Sequence, residues 1–179
     1  MNRVLKKILF GLIALLLLFL AYAATQPNTI RIERAVVINA SQSKIFPLID
    51  SLPAWASWSP YEKVDPAMTR TFSGPASGKG ATYAWKGNSK VGAGRMEIIE
   101  SAPTARVTIR LDFTEPLSGH DTVDFTLQPR GDSTEVAWVM HGPNPFISKV
   151  MGVLFDMDKM VGDPFAAGLQ AMKELAEKP

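Results

Sequence analysis

The sequence predicts an α+β fold in which about seven antiparallel strands form one sheet, a long C-terminal helix covers its apolar face, and one apolar helix precedes them. Three observations predict it. Residues Ile8 to Ala24 form an uncharged, Leu-rich run behind Arg3, Lys6 and Lys7. Beyond Pro27 the text changes to short alternating runs punctuated by Gly, Pro, Asn and Asp, the pattern of strands joined by turns. From Phe146 to Lys178 the apolar residues instead recur at helical spacing. A chain of 179 residues has room for one domain plus this N-terminal segment, giving residues 1–27 as signal or anchor and 28–179 as the working domain.

The apolar run is about 25 Å long as a helix, close to the hydrocarbon thickness of a bilayer, and Thr25 and Gln26 can extend it. A secretory signal fits as well, with Ala21-Tyr22-Ala23 as a small-x-small cleavage site. Both readings give one address. Positive charge ahead of the span and none until Arg31 behind it keep the N-terminus cytoplasmic and export the rest, which is then membrane-tethered or, if cleaved, secreted. In a Gram-negative bacterium the domain would be periplasmic.

The strands are expected near Thr29–Ile38, Met68–Ser73, Ala81–Lys86, Gly94–Glu100, Ala105–Phe113, His120–Gln128 and Thr134–Met140. In the fifth, Val107, Ile109, Leu111 and Phe113 alternate with Thr108, Arg110 and Asp112, so one face is buried and the other wet. Val123, Phe125 and Leu127 repeat the pattern, and Val136, Trp138 and Met140 follow the Arg130-Gly131-Asp132-Ser133 turn. Short helical pieces are expected between Ser41 and Trp58, brief or bent because Pro47 lies past the first turn. In the C-terminal helix, Asp163-Pro164 is expected to restart or kink the chain, Asp being a good N-cap and Pro a good first residue.

Composition excludes several chemistries. No cysteine is present, which removes disulfides, Cys-ligated zinc, iron–sulfur clusters and thiol nucleophiles. Of 19 basic residues three precede the span, leaving 16 against 17 acidic ones, so the domain has no positive surplus for a phosphate backbone and no nucleic-acid partner is expected. Gly74 to Gly80 is one residue short of a Walker loop and leads into a strand, so it reads as a turn. His120 and His141 stand at strand ends without a second histidine at ligand spacing, and neither a metal nor another cofactor is expected. His120 and Asp121 are neighbours in a strand, point to opposite faces, and read as a surface pair. Asp156 and Asp158 do not face each other on a helix. What is enriched is bulky, soft apolar surface, aromatic in Trp55, Trp58, Trp85, Trp138, Tyr83, Phe113, Phe125 and Phe155 and thioether in Met96, Met140, Met151, Met157 and Met160; singly these fill a core, but together they suit an irregular apolar cavity.

Several motifs resemble the SRPBCC superfamily, the helix-grip fold of START lipid-transfer domains and polyketide cyclase/dehydrase-like proteins, in a membrane-anchored subgroup. They include Ala40-Ser41-Gln42-Ser43-Lys44-Ile45-Phe46, Trp55-Ala56-Ser57-Trp58-Ser59-Pro60, Gly80-Ala81-Thr82-Tyr83-Ala84-Trp85-Lys86-Gly87-Asn88, Val91-Gly92-Ala93-Gly94-Arg95-Met96 and Met157-Asp158-Lys159-Met160-Val161-Gly162. The likeness spans residues 30 to 178, with Pro47 and Pro164 inside helices that the family runs through. It implies a curved sheet gripping the C-terminal helix around an apolar cavity, and implies no particular reaction. The leading expectation is a tethered binder of a lipid-like or other hydrophobic small molecule. A cyclase or dehydratase acting on a polyketide-like substrate and an envelope protein-interaction module are the alternatives. The expected lining is Trp58, Trp85, Met96, Ile98, Ile109, Leu111, Phe125, Trp138 and Met140, closed from the helix by Phe155 or Met160. No catalytic residue is assigned, because strand alternation places apolar groups inward and charges outward, as a carrier needs.

Overall fold

The computed structural model describes residues 2–178. Helix α1 (Arg3–Ala24) leads into strand β1 (Thr29–Ile38). Helix α2 (Gln42–Asp50), a 3-10 turn (Leu52–Ser57) and the short helix α3 (Tyr61–Val64) then carry the chain across the sheet. It returns as a meander through β2 (Thr69–Ser73), β3 (Thr82–Lys86), β4 (Ala93–Ala102), β5 (Arg106–Glu115), β6 (Gly119–Arg130) and β7 (Ser133–Pro143), ending in α4 (Phe146–Leu154) and α5 (Met157–Ala176). All neighbours in the order β1-β7-β6-β5-β4-β3-β2 are antiparallel. This is the helix-grip arrangement, and all seven strands fall where alternation places them, with β4, β6 and β7 longer than expected and the others within a residue or two at each end.

The sheet stays in one register because a one-residue slip would turn Val107, Ile109 and Leu111, all buried, out to solvent. Helix α5 lies along β1, burying a stripe of Gly162, Phe165, Leu169, Met172 and Ala176 at helical spacing. The C-terminal helical region divides at Phe155-Asp156, seven residues before the expected Asp163-Pro164. Phe155 is extended (φ −130°, ψ 143°), and the Asp156 carboxylate caps the new helix by accepting from the Lys159 N–H at 3.0 Å. Pro164 is absorbed inside α5, where its missing donor forfeits one helical hydrogen bond. Pro47 likewise lies within the nine-residue α2, and α3 is an element that the alternation pattern does not announce.

Helix α1 is long and apolar enough, by length and composition, to cross a membrane. Its faces are exposed until the last turns, where Phe19 and Leu20 become half-buried and Ala23 fully buried as α1 meets α4.

Candidate functional site

Residues paired across antiparallel strands share a face, so the register arranges the concave face in rows. One row runs Val107, Phe125, Trp138 and Arg34. The next is Ile98, Ile109, Val123, Met140 and Ile32. A third is Phe72, Tyr83, Met96, Leu111 and Asp121, and a fourth holds Trp85, Gly94, Phe113 and Gly119. Nine of the eleven anticipated lining residues therefore meet on this face or pack directly upon it.

The first two rows are filled. Trp58 and Trp55 descend from the 3-10 turn onto Phe125 and Trp138, with the Trp58 and Trp138 rings 5.5 Å apart and edge-on. Phe165 of α5 stacks on Trp138 from above at 4.0 Å and 9°. Gly168 lets α5 come this close, since a Cβ there would stand 2.9 Å from the Trp138 ring. Trp58, Ile98, Ile109 and Phe125 are fully buried in this layer. The Trp55 and Trp58 indoles donate to the carbonyls of Ile49 (3.0 Å) and Leu48 (2.8 Å). The Trp138 Nε1–H, equally buried, has no acceptor among the described residues. Such a group costs about 1–3 kcal/mol unless something supplies one.

The third and fourth rows are more open. Trp85 lies across Gly94, edge-on to Phe113 at 5.9 Å, and both rings are half-buried, with Phe72 beyond them 45% exposed. Met96, Leu111 and Met140 are buried at the margin of the packed layer. At the row's end Asp121 points inward, its carboxylate seated over Gly142, where a Cβ would collide with it. Burial raises its pKa above the usual range, partly opposed by His141 and His120. No hydrogen bond to this carboxylate is formed by the described residues.

Two expectations are corrected here. Charges do not all point outward: Arg34 and Asp121 both sit on the concave face. Arg34 is admitted because Gly162 leaves room under α5 for its guanidinium, which forks onto the Asp158 carboxylate at 2.8 and 3.1 Å. Phe155 and Met160 do not close the sheet-facing space. They stand 49% and 60% exposed, the first outside both helices and the second two positions from Gly162, nearly opposite the buried stripe. Phe165, Leu169 and Met172 occupy that role instead. Phe155 and Met160 line a separate open concavity of about 530 Å³ at the α4–α5 junction.

The histidines pair on the convex face, as their strand positions require. His120 Nδ1 lies 2.7 Å from Asp112, and His141 Nε2 lies 3.0 Å from Asp124. Burial works against the charged form of Asp124, yet hydrogen bonds from Thr108, Arg106 and His141 outweigh it and hold its carboxyl below the usual range. A further group was not legible in the sequence. Glu62 on α3 accepts the Tyr83 hydroxyl at 2.6 Å and Arg70 Nε at 2.7 Å, tying α3 over the end of the third row. Burial first, then Glu62, pushes the Tyr83 phenol well above its usual range, so it remains a donor. Among the described residues no group of three His, Asp or Glu side chains is arranged to hold a metal ion.

A family model described as polyketide cyclase/dehydrase and lipid transport matches residues 29–177. No curated protein matches the chain. Among similar solved structures, the di-domain ARO/CYC protein BexL of the BE-7585A biosynthetic pathway has a TM-score of 0.63 at 14% identity, covering 89% of this chain and 54% of its own. A Chromobacterium violaceum protein has a TM-score of 0.58 at 17% identity over 86% of this chain and all of its own. The major latex-like protein 151 of Panax ginseng follows at 0.57 and 11%, over 85% and 100%. At these identities the likeness is one of fold.

Proposed function

Because the chain belongs to the polyketide cyclase/dehydrase and lipid transport family, we propose that it is a membrane-tethered extracytoplasmic binder of a lipid-like or other hydrophobic small molecule. The ligand is held against the half-open rows between Trp85 and Asp121. The observation that carries this reading is the polarity of the concave face: apolar walls, a buried Trp138 N–H without an acceptor among the described residues, and an inward, half-buried Asp121 carboxylate. Apolar walls supply affinity and one or two placed polar groups supply orientation, which is how small-molecule sites work. Arg3, Lys6 and Lys7 in the first turns of α1, with no basic residue after it until Arg31, support this orientation.

The test is mass spectrometry of organic extracts from the gently purified full chain and from Leu111→Trp. Leu111 lies between Met96 and Asp121 in the third row. An indole there is expected to abolish recovery of a co-purifying apolar compound while the fold survives at a cost of about 1–3 kcal/mol. Equal recovery from both proteins would displace the site from these rows.

Asp121 supports a second reading, an enzyme of the cyclase or dehydratase kind. An inward carboxyl whose pKa is raised by burial is a candidate for proton transfer to or from a bound molecule. Asp121→Asn separates the two: a carrier keeps its ligand, whereas an enzyme keeps its substrate and loses turnover.

A further inference from the structure

We propose that the domain docks on the bilayer through α4 and the α4–α5 junction, so that the concavity there opens onto lipid. This rests on the tethered reading of α1 and adds to it an orientation of the domain on the bilayer.

The first argument is the surface itself. Phe146, Ile147, Met151 and Leu154 on α4, then Phe155 and Met160, are 38–60% exposed. Single exposed apolar residues are ordinary, but six large ones within fifteen positions form a patch that marks an interaction site. Helix α4 carries one charge, and it is turned away from the patch: Lys149 is buried, its Nζ donating to the Asn28 side chain at 2.6 Å.

The second argument is position. Between α1 and β1 lie only Thr25 to Asn28, a reach of at most about 14 Å. That segment is also pinned to the loop before α4. Asn144 donates its side-chain amide to the Pro27 carbonyl at 3.0 Å and its backbone N–H to the Asn28 carbonyl at 2.7 Å. The domain therefore cannot swing away on a leash. Helix α4 packs against α1, and burial on α1 sets in only at Phe19, Leu20 and Ala23, within about 8 Å of its end, the depth at which interfacial helices rest.

The third argument identifies the occupant. Helix α4 contacts α1, whose exposed apolar side chains are in this reading covered by acyl chains, so the same solvent reaches α4. The rim has no basic surplus, since Lys159 stands among Asp156, Asp158 and Asp163. Attraction then comes from apolar burial and not from anionic headgroups, which makes a zwitterionic phosphatidylcholine surface sufficient. The concavity between Leu154 and Pro164 opens within this patch, so a lipid-like molecule reaches it without crossing water.

The absence of cysteine makes single labels simple to place. The full chain is reconstituted in phosphatidylcholine nanodiscs containing spin-labelled lipid, with a fluorophore on Leu12→Cys in α1, Leu154→Cys in α4, or Asp132→Cys in the turn between β6 and β7 at the opposite end of the sheet. Ile147→Cys is a second α4 position. Labels at 12, 147 and 154 are expected to lose about half their emission or more, 132 none, and added salt to change nothing. Quenching at 12 without quenching at 147 and 154 leaves the anchor standing and overturns the docking. No quenching at 12 removes the anchor and the docking with it. Excimer emission from pyrene at 154 without lipid quenching would assign the patch to a second copy, and would overturn it as well.

Discussion

The two halves of the concave face are built from the same alternation but not to the same density. Under α5, Trp58, Phe125, Trp138 and Phe165 interlock with ring separations of 4.0 to 6.1 Å, and three of these four rings touch Trp138. Toward β3 and the start of β6, Trp85 and Phe113 are half-buried and the Asp121 carboxylate faces inward. The difference follows from cover. Helix α5 and the 3-10 turn lie over the first half, while the second has α3, one turn long, held by the Glu62 contacts to Tyr83 and Arg70. A bulky aromatic in a strand is thus core or wall according to what crosses above it.

The largest expected effect tests the packed half. Phe165→Ala removes the ring stacked on Trp138 and should cost about 3–5 kcal/mol. In a domain of this size that is a fall of roughly 2–4 °C in Tm per kcal/mol. Trp85→Ala removes a larger ring from the open half, yet should cost only about 1–2 kcal/mol because water already reaches it. Thermal unfolding of the two variants side by side measures the contrast. Equal losses would mean that both halves are equally packed.

A finer test compares two tryptophans in contact. Trp58→Phe deletes the donor to the Leu48 carbonyl and strands that oxygen, whereas Trp138→Phe deletes an N–H that no group among the described residues accepts. The ring volume lost is the same. Trp58→Phe is therefore expected to be the more destabilising by about 1–3 kcal/mol in denaturant titrations. If Trp138→Phe costs as much, its N–H is already satisfied by something tightly held.

This contrast marks how far the sequence could be read. Strand positions and the inward rows were legible because burial imposes a period of two, and α5 because it imposes 3.6. The helix break was not, since Asp156 and Asp163 are equally good caps on paper and only tertiary packing selects between them. Arg34 and Asp121 were missed for a related reason. Each occupies an apolar phase of its strand, and what admits it is a glycine distant in sequence, Gly162 or Gly142, which alternation within one strand cannot reveal. The Glu62, Arg70 and Tyr83 cluster joins α3, β2 and β3 across 21 residues with no fixed spacing. The exposure of Phe155 and Met160 depends on a helix phase that resets at Asp156.

The smallest expected effect is also the most specific, because it sets two carboxylates of β6 against each other. Asp121 faces the concave side and its pKa is raised by burial; Asp124, three residues on and therefore on the opposite face, is held low by hydrogen bonds. A raised carboxylate pKa means that the folded state binds the proton more tightly than the unfolded chain, whose value is near 3.8. Stability from this group then falls as pH rises from 3.8 through the folded value, and above that the cost is fully present. Asp121→Asn removes the cost, so the variant should melt higher than the parent at neutral pH, with a gain that shrinks to nothing as the pH drops toward 3.8. Asp124 has the reverse linkage: its contribution is present above the unfolded value and lost as pH falls through the lowered one. Asp124→Asn should therefore melt lower at neutral pH, and its deficit should fade on acidification. Tm measured from pH 7 to pH 4 for parent and both variants gives two difference curves of opposite sign. Two curves of the same sign would mean that Asp121 is solvated or paired, and the inward carboxylate could then be assigned no part in either a carrier or an enzyme.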